Sequence, residues 1–383
     1  MAPLRGAWGT IRHHRRRITG MKVSCERKLL DEALGVVAGA AASRASLPIL
    51  SHLYLEAAGD HLRLVGSDLE QWVEHRIPAI VGEEGAATVS ARLFADLVGS
   101  LSGETIELAT GERYQLIITA GDSRYQLAGL PPEEYPPVPE LGNASELVLP
   151  AKLFMEMIES VEFAVSREET RPTLTGIRME FDGSNLRLVA TDTHRLAVRN
   201  AQIDSAAGEA ATAIVPLKAI QLLRRLPAGE TITMRLGEHR AAFLGENASV
   251  VTQLIEGQYP NYERVIPKEY TRRWTLMVQE FRNALKRAYL VAKSDSNKVI
   301  LKTDGEKLVI SAQGNVGEAT ERVDIIREGD DLEVAFNAKY LLDVLEVLNT
   351  EGVVIELTES LRPAVFKPAQ QDDYLCVIMP MAL

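Results

Sequence analysis

Apolar and polar positions alternate along much of this chain, and the same alternation returns three times. LRLVGSDLEQWVEHRIPA (62–79), LRLVATDTHRLAVRNAQI (186–203) and, more weakly, LVISAQGNVGEATERVDI (308–325) each read as a strand, a polar turn and a second strand. Ser67-Asp68 and Thr191-Asp192 stand 124 residues apart. A second recurring text changes period midway. TVSARLFADLVGSLSGETIEL (88–108), AIVPLKAIQLLRRLPAGETITM (213–234) and VAFNAKYLLDVLEVLNTEGVVIEL (334–357) each start as a short strand and shift to the 3.6-residue period of an amphipathic helix. Each returns to a strand after a Gly-containing or polar turn. A further helix opens each unit, over 26–37, 151–163 and 279–293. LAGLPPEEYPPVP (127–139), LIEGQYPNYERVIP (254–267) and LCVIMPMAL (375–383) close the units, with Tyr135-Pro136 and Tyr259-Pro260 again 124 apart. Proline beyond the last strand stops a ladder because it has no N–H to donate.

The pattern predicts an α+β protein of three repeated domains, each with two helices packed on antiparallel sheet. The expected boundaries are 21–145, 146–270 and 271–383. Three such domains strung together without closure meet the pattern as well as a closed assembly does.

Composition sharpens this reading in three places. Residues 1–20 hold Arg5, Arg12, Arg15, Arg16 and Arg17 and no acid, and they lack the apolar stretch of a secretory signal. They are expected to be a basic disordered N-terminal extension, because the patterned text begins at Met21. Cys25 and Cys376 are too few and too far apart for a disulfide framework or a zinc cluster. They read as buried hydrophobes of a cytoplasmic protein, and no apolar run is long enough to span a bilayer. The net charge of −11 argues against a nucleic-acid partner unless the cations are segregated on one surface.

Helical periodicity does segregate them. On 217–226, Lys218, Gln221, Arg224 and Arg225 share one arc, opposite Ala219, Ile220, Leu222, Leu223 and Leu226. On 279–293, Arg282, Lys286, Tyr289 and Lys293 form one stripe, apart from Phe281, Leu285, Ala288 and Ala292. The helix over 151–163 dissents, carrying Lys152 with Glu156, Glu159 and Glu162. A charged face on any single helix reads as solvated surface; only convergence of equivalent helices gives it a function. Asp192 and His194 are the most catalytic-looking pair, expected on one strand face, but no activated Ser or Cys accompanies them. No phosphate-binding glycine loop, HExxH or GxSxG occurs. No cofactor or metal is expected, and the histidines lack metal-ligand spacing.

The segments MKVSCERKLLDEAL (21–34), SRASLPIL (43–50), LVATDTHRLAV (188–198), QYPNYERVIP (258–267) and YLCVIMPMAL (374–383), in this order, resemble the bacterial DNA polymerase III beta sliding clamps from Met21 to Leu383. The resemblance implies a non-catalytic processivity factor. Two chains join head to tail in a homodimeric ring of six domains, and the ring encircles double-stranded DNA without reading its sequence. It implies partners that dock through short linear motifs: the polymerase III alpha subunit, the clamp loader, and other polymerases and repair proteins. The motif pocket carried over comprises Leu174, Thr191, Thr193, His194, Arg195, Leu196, Pro260, Arg264, Val265, Asn337, Tyr340, Leu361, Pro363, Val377, Met379, Pro380, Met381 and Leu383, with Arg195, Arg264 and His194 expected at its polar rim. Expected DNA contacts are Arg44, Arg167, Arg171, Lys218, Arg224, Arg225, Arg282, Lys286 and Lys293. Expected dimer contacts are Tyr125 against Leu290 and Val291. Thr193 stands where some members have glycine, and Ala382 where many have arginine.

Overall fold

Alternating text becomes hairpins and 3.6-period text becomes helices, in the same order three times over. A computed structural model describes residues 20–42, 47–203, 209–227 and 229–383. The expected Arg-rich extension, except Gly20, and Arg44 lie outside the described residues. The first repeat runs β1 (Lys22–Glu26), α1 (Arg27–Val37), β2 (His52–Ala58), β3 (His61–Ser67), β4 (Gln71–Pro78), β5 (Ile80–Glu83), β6 (Gly85–Ser90), α2 (Ala91–Ser100), β7 (Thr105–Thr110), β8 (Leu116–Ala120) and β9 (Ser123–Leu127). The second runs β10 (Ser145–Pro150), α3 (Ala151–Glu162), β11 (Gly176–Phe181), β12 (Asn185–Thr191), β13 (Arg195–Gln202), β14 (Ala211–Pro216), α4 (Leu217–Leu223), β15 (Thr231–Leu236), β16 (Arg240–Leu244) and β17 (Ala248–Gln253). The third runs β18 (Arg272–Met277), α5 (Val278–Ala292), β19 (Lys298–Asp304), β20 (Lys307–Gly314), β21 (Gly317–Asp324), β22 (Ile326–Glu328), β23 (Glu333–Asn337), α6 (Ala338–Val347), β24 (Gly352–Leu357), β25 (Ala364–Pro368) and β26 (Tyr374–Ile378).

The chain divides into two compact units at Pro137–Val138. In the first, strands pair in the orders β5-β1-β7-β8-β9 and β4-β3-β2-β6. α1 turns Leu30, Ala33, Leu34 and Val37 inward, the spacing of one helical stripe, and packs beside α2. The second unit holds the other two repeats, with orders β10-β15-β16-β17, β14-β11-β12-β13-β26-β25-β24-β18-β22 and β21-β20-β19-β23.

The nine-stranded sheet makes the second and third domains one body. Its seam is the antiparallel pair β13–β26, with Leu196 opposite Val377 and Ala197 opposite Cys376. Gly176, which opens β11, admits no side chain: a Cβ there would lie 2.4 Å from the Val215 carbonyl oxygen and 2.9 Å from Ile255 Cδ1. Both cysteines are buried.

Two sequence expectations shift. The helix expected over 217–226 ends at Leu223, so Arg224 is its C-cap and Arg225 lies in the following turn. Pro227, lacking an N–H, suits that early stop. Asp192 and His194, expected to share one strand face, lie in the polar turn between β12 and β13 that the repeat predicts.

Candidate peptide-binding site and basic helices

The β12–β13 turn is built by Asp192. Its Oδ1 accepts the backbone N–H groups of His194 and Arg195, each at 3.0 Å. Its Oδ2 accepts from Arg195 Nε at 2.9 Å. The first repeat makes the same turn, with Asp68 Oδ1 accepting from Glu70 N and Gln71 N. The residue after the aspartate has positive φ in both copies, 75° at Leu69 and 78° at Thr193. The 124-residue repeat holds at atomic detail elsewhere too: Tyr135 Oη donates to Val65 O and Tyr259 Oη to Val189 O. Asp192 is thus spent on the turn and on Arg195, and it does not act on His194 as a catalytic pair would require.

Around the β13–β26 seam lies an apolar floor. Leu174, Val189, Leu196, Val198, Ile214, Tyr259, Tyr262, Val365 and Val377 form one buried cluster. Leu196, Val377 and Val365 make a cross-strand row on one sheet face, since Leu196 faces Val377 on one side and Val377 faces Val365 on the other. Of the expected pocket residues, Leu174, Leu196 and Val377 belong to this floor. Tyr259, Tyr262, Val198 and Val365 belong to it too and were not among the expected residues; the period of two from Leu196 and from Pro363 was the signal that could have found the two valines.

The chain segments leaving the floor carry exposed apolar side chains. Val265 follows Tyr262, Leu361 precedes β25, and Met379 follows β26; with Leu383 they are 52%, 69%, 41% and 57% exposed. Pro260, Arg264, Thr193 and His194 are exposed as well, while Thr191, Pro363, Pro380 and Met381 are half-buried. Met379 N donates to the His194 carbonyl at 2.8 Å, and Met381 N to Ala335 O at 2.8 Å, which ties the C-terminal residues to both domains. Asn337 caps α6, its side chain accepting from Lys339 N.

Arg195 is not at the rim. Its side chain is 11% exposed. Nη1 donates to Asp343 Oδ2 on α6 at 2.6 Å, and Nη2 donates to the Phe163 carbonyl. The guanidinium lies 4.4 Å from the Tyr340 ring centroid and 5.1 Å from that of Phe163. Alternation explains the correction, since Leu196 faces the floor and its neighbour on the strand must face the helices. A cleft of about 790 Å³ runs beside it, lined by Asp192, His194, Tyr340 and Asp343 and by Glu156, Glu159 and Glu162 of α3.

The basic helices behave as drawn, with one revision. Lys218, Gln221, Arg224 and Arg225 are exposed, while Ala219, Ile220, Leu222 and Leu223 are buried. Arg224, however, reaches across to α3, 2.6 Å from Glu162 and 3.1 Å from Glu159. The neighbouring helix thus offsets part of the charge of the acidic one, and Arg224 shares its charge with two carboxylates. On α5, Lys286 and Lys293 are exposed and Arg282 is half-buried against Gln279. Arg167 and Arg171 are exposed after α3. Arg92, Lys218 and Lys339 occupy the same position at the start of α2, α4 and α6; aligning the repeats would have added Arg92 and Lys339. Tyr125 sits half-buried on β9 and Leu290 is 61% exposed on α5, with Val291 half-buried beside it. β9 and β21 are each the last strand of their sheets.

One unit of two helices and two antiparallel sheets, used three times in a chain, defines the DNA-clamp class of protein. The family description of the DNA polymerase III beta subunit matches throughout: its N-terminal domain over residues 21–139, its central domain over 148–261 and its C-terminal domain over 263–382. The chain belongs to that family, the beta sliding clamps, and its function is that of a sliding clamp in DNA replication. The beta sliding clamp of Staphylococcus epidermidis is 32% identical over 374 residues, 94% of this chain and 99% of its own. The Bacillus subtilis DNA polymerase sliding clamp superposes with a TM-score of 0.91 at 28% identity, covering 95% of this chain and all of that one. A Pseudomonas aeruginosa clamp solved bound to griselimycin gives 0.89 at 32% identity over the same shares.

Proposed function

We propose that two copies close head to tail around duplex DNA without catalysing any reaction. In this reading the floor at the β13–β26 seam holds short apolar motifs of polymerases, the clamp loader and repair proteins. The observation that carries the reading is a buried apolar floor flanked by exposed Val265, Leu361, Met379 and Leu383. A large aliphatic side chain left in water forgoes roughly 1.5–3 kcal/mol relative to full burial. Aromatic and aliphatic anchors of a docking segment recover that term, and Met379 and Met381 adapt to different anchors. His194 and Arg264 supply the polar rim.

Two further features support the reading. Among the described residues β9 and β21 stand at the ends of their sheets, edges that a second copy would close. Leu290 and Val291 on α5 and Tyr125 on β9 are the side chains assigned to that contact. Lys28, Arg92, Lys152 and Lys339 all stand in the first turn of a helix, where the macrodipole disfavours cations. A phosphate backbone would give these cations a role beyond their own helices. Each also lies within 4.0 Å of an acid four residues on, which keeps the field weak enough for sliding. Lys218, Arg225, Arg282, Lys286 and Lys293, with Arg167 and Arg171, complete the assigned contacts.

Griselimycin tests the pocket. Calorimetry is expected to show binding by the wild type and loss of it in Met379→Asp with the melting temperature retained. Undiminished binding by that variant would remove the pocket from this surface.

A further inference from the structure

A motif pocket needs a lip as well as a floor, and here the lip is two stretches of main chain from different domains. The turn 191–195 belongs to the second domain and Met379 to the third. Where the β13–β26 ladder ends, Met379 N donates to His194 O at 2.8 Å. A single backbone bond at the end of a ladder holds little by itself, since its net contribution is only about 0.5–1.5 kcal/mol.

Behind the lip, on the opposite face of the sheet from the floor, lies the guanidinium of Arg195. It is held on three sides: by Asp192 in its own turn, by the Phe163 carbonyl at the end of α3, and by Asp343 on α6 of the third domain. Phe163 and Tyr340 flank it with their rings. Asp343 is as enclosed as Arg195, each side chain being 11% exposed, and it also receives Lys339 Nζ at 2.5 Å. A planar fork meets these three acceptors in a fixed geometry while stacking flat between two rings; an ammonium has three donors but neither the planarity nor the reach to reproduce that arrangement. An enclosed ion pair of this kind is a poor source of net stability, because desolvation offsets its attraction. What it supplies is a defined geometry, with the turn carrying His194 pinned to α6.

The geometry points to Arg195 as a positioning residue for the motif pocket. It latches the second domain to Asp343 of the third and thereby sets the lip formed by His194 and Met379, without touching the bound segment. The inference rests on the reading of this surface as the motif pocket.

The test uses the full chain, griselimycin as probe, and calorimetry paired with thermal melting. Arg195→Lys, Asp343→Asn and the double variant are compared. Each single change is expected to weaken binding roughly tenfold, the double change scarcely more than either, because both break the same link. Asp343 stands outside the pocket, so loss of affinity there reports transmission through Arg195. Asp343→Asn that melts earlier yet binds as tightly as wild type would reduce Arg195 to a stabilising residue and overturn the latch. Loss in Arg195→Lys alone would overturn it in favour of direct contact. Should either variant fail to fold, Phe163→Leu keeps the acceptor carbonyl and removes one ring, with a smaller loss of affinity expected and none overturning the latch. If the wild type itself does not bind griselimycin, the pocket reading falls and the latch with it.

Discussion

A β-branched side chain at positive φ is strained, and Thr193 holds φ at 78° at the tip of the β12–β13 turn. The left-handed region costs an L-residue about 1–2 kcal/mol, partly offset in glycine by its greater freedom when unfolded. Thr193→Gly is therefore expected to raise stability by up to about 1 kcal/mol in urea titration. Unchanged or lower stability would mean that the turn relies on the Thr193 side chain. Asp192→Ala should act in the other direction. It strands two backbone N–H groups and one edge of an enclosed guanidinium, for a loss of roughly 2 kcal/mol. The Asp-x-x turn was visible in the sequence as a repeated pair, Asp68 and Asp192. That Asp192 also holds Arg195 was not, because Asp343 and Phe163 arrive from 148 and 32 residues away.

Among the elements, α3 and α4 act as a pair. Arg224 spans to Glu159 and Glu162, and with Arg224 and Glu159 half-exposed the bridge contributes little to stability. Its consequence is electrostatic. Glu159→Gln with Glu162→Gln should release Arg224 and strengthen duplex binding at low salt, while leaving melting within a few degrees. Reversal of Lys218, Arg225, Arg282 and Lys286 to Glu should weaken it, each lost phosphate contact lowering the salt slope by about one. Filter or anisotropy titrations across salt read both. Equal affinity in all three proteins would take these helices off the DNA-facing wall. The amphipathic faces were legible from periodicity alone, but the Arg224 bridge needed the approach of a second helix.

At the scale of the whole molecule, closure and burial each give an observable. Leu290 is exposed in the single chain, so Leu290→Ala with Val291→Ala should leave melting of the chain nearly unaltered and shift sedimentation from dimer towards monomer. A loaded ring should stay on circular duplex and escape from linear ends; equal retention on both would refute encirclement. Burial pushes Tyr54 up to about 12 from its ordinary value of 10.0, with Tyr135 and Tyr259 raised further. A raised folded-state pKa means that the unfolded chain ionises first. The associated stability is complete below pH 10.0 and drains as pH climbs towards 12. Alkaline unfolding should begin in that window, and Tyr259→Phe should move its midpoint upward.

Period and repetition in the sequence determined the class of fold, the three units, the two helices of each and which helix faces carry cations. These are local properties, set by where each Cβ points along a strand or helix, and they need no partner to be read. The five family-like segments marked where the proposed pocket lies. Only the tertiary structure decided which residues of the proposed pocket are buried floor, which stand exposed beside it and which face elsewhere. β13 meets β26 across a gap of more than 170 residues, and side-chain alternation at that seam sends Leu196 to the floor and Arg195 to the helices behind it. No local rule names the strand that a strand will pair with, and so none could tell a contact from the latch that positions it.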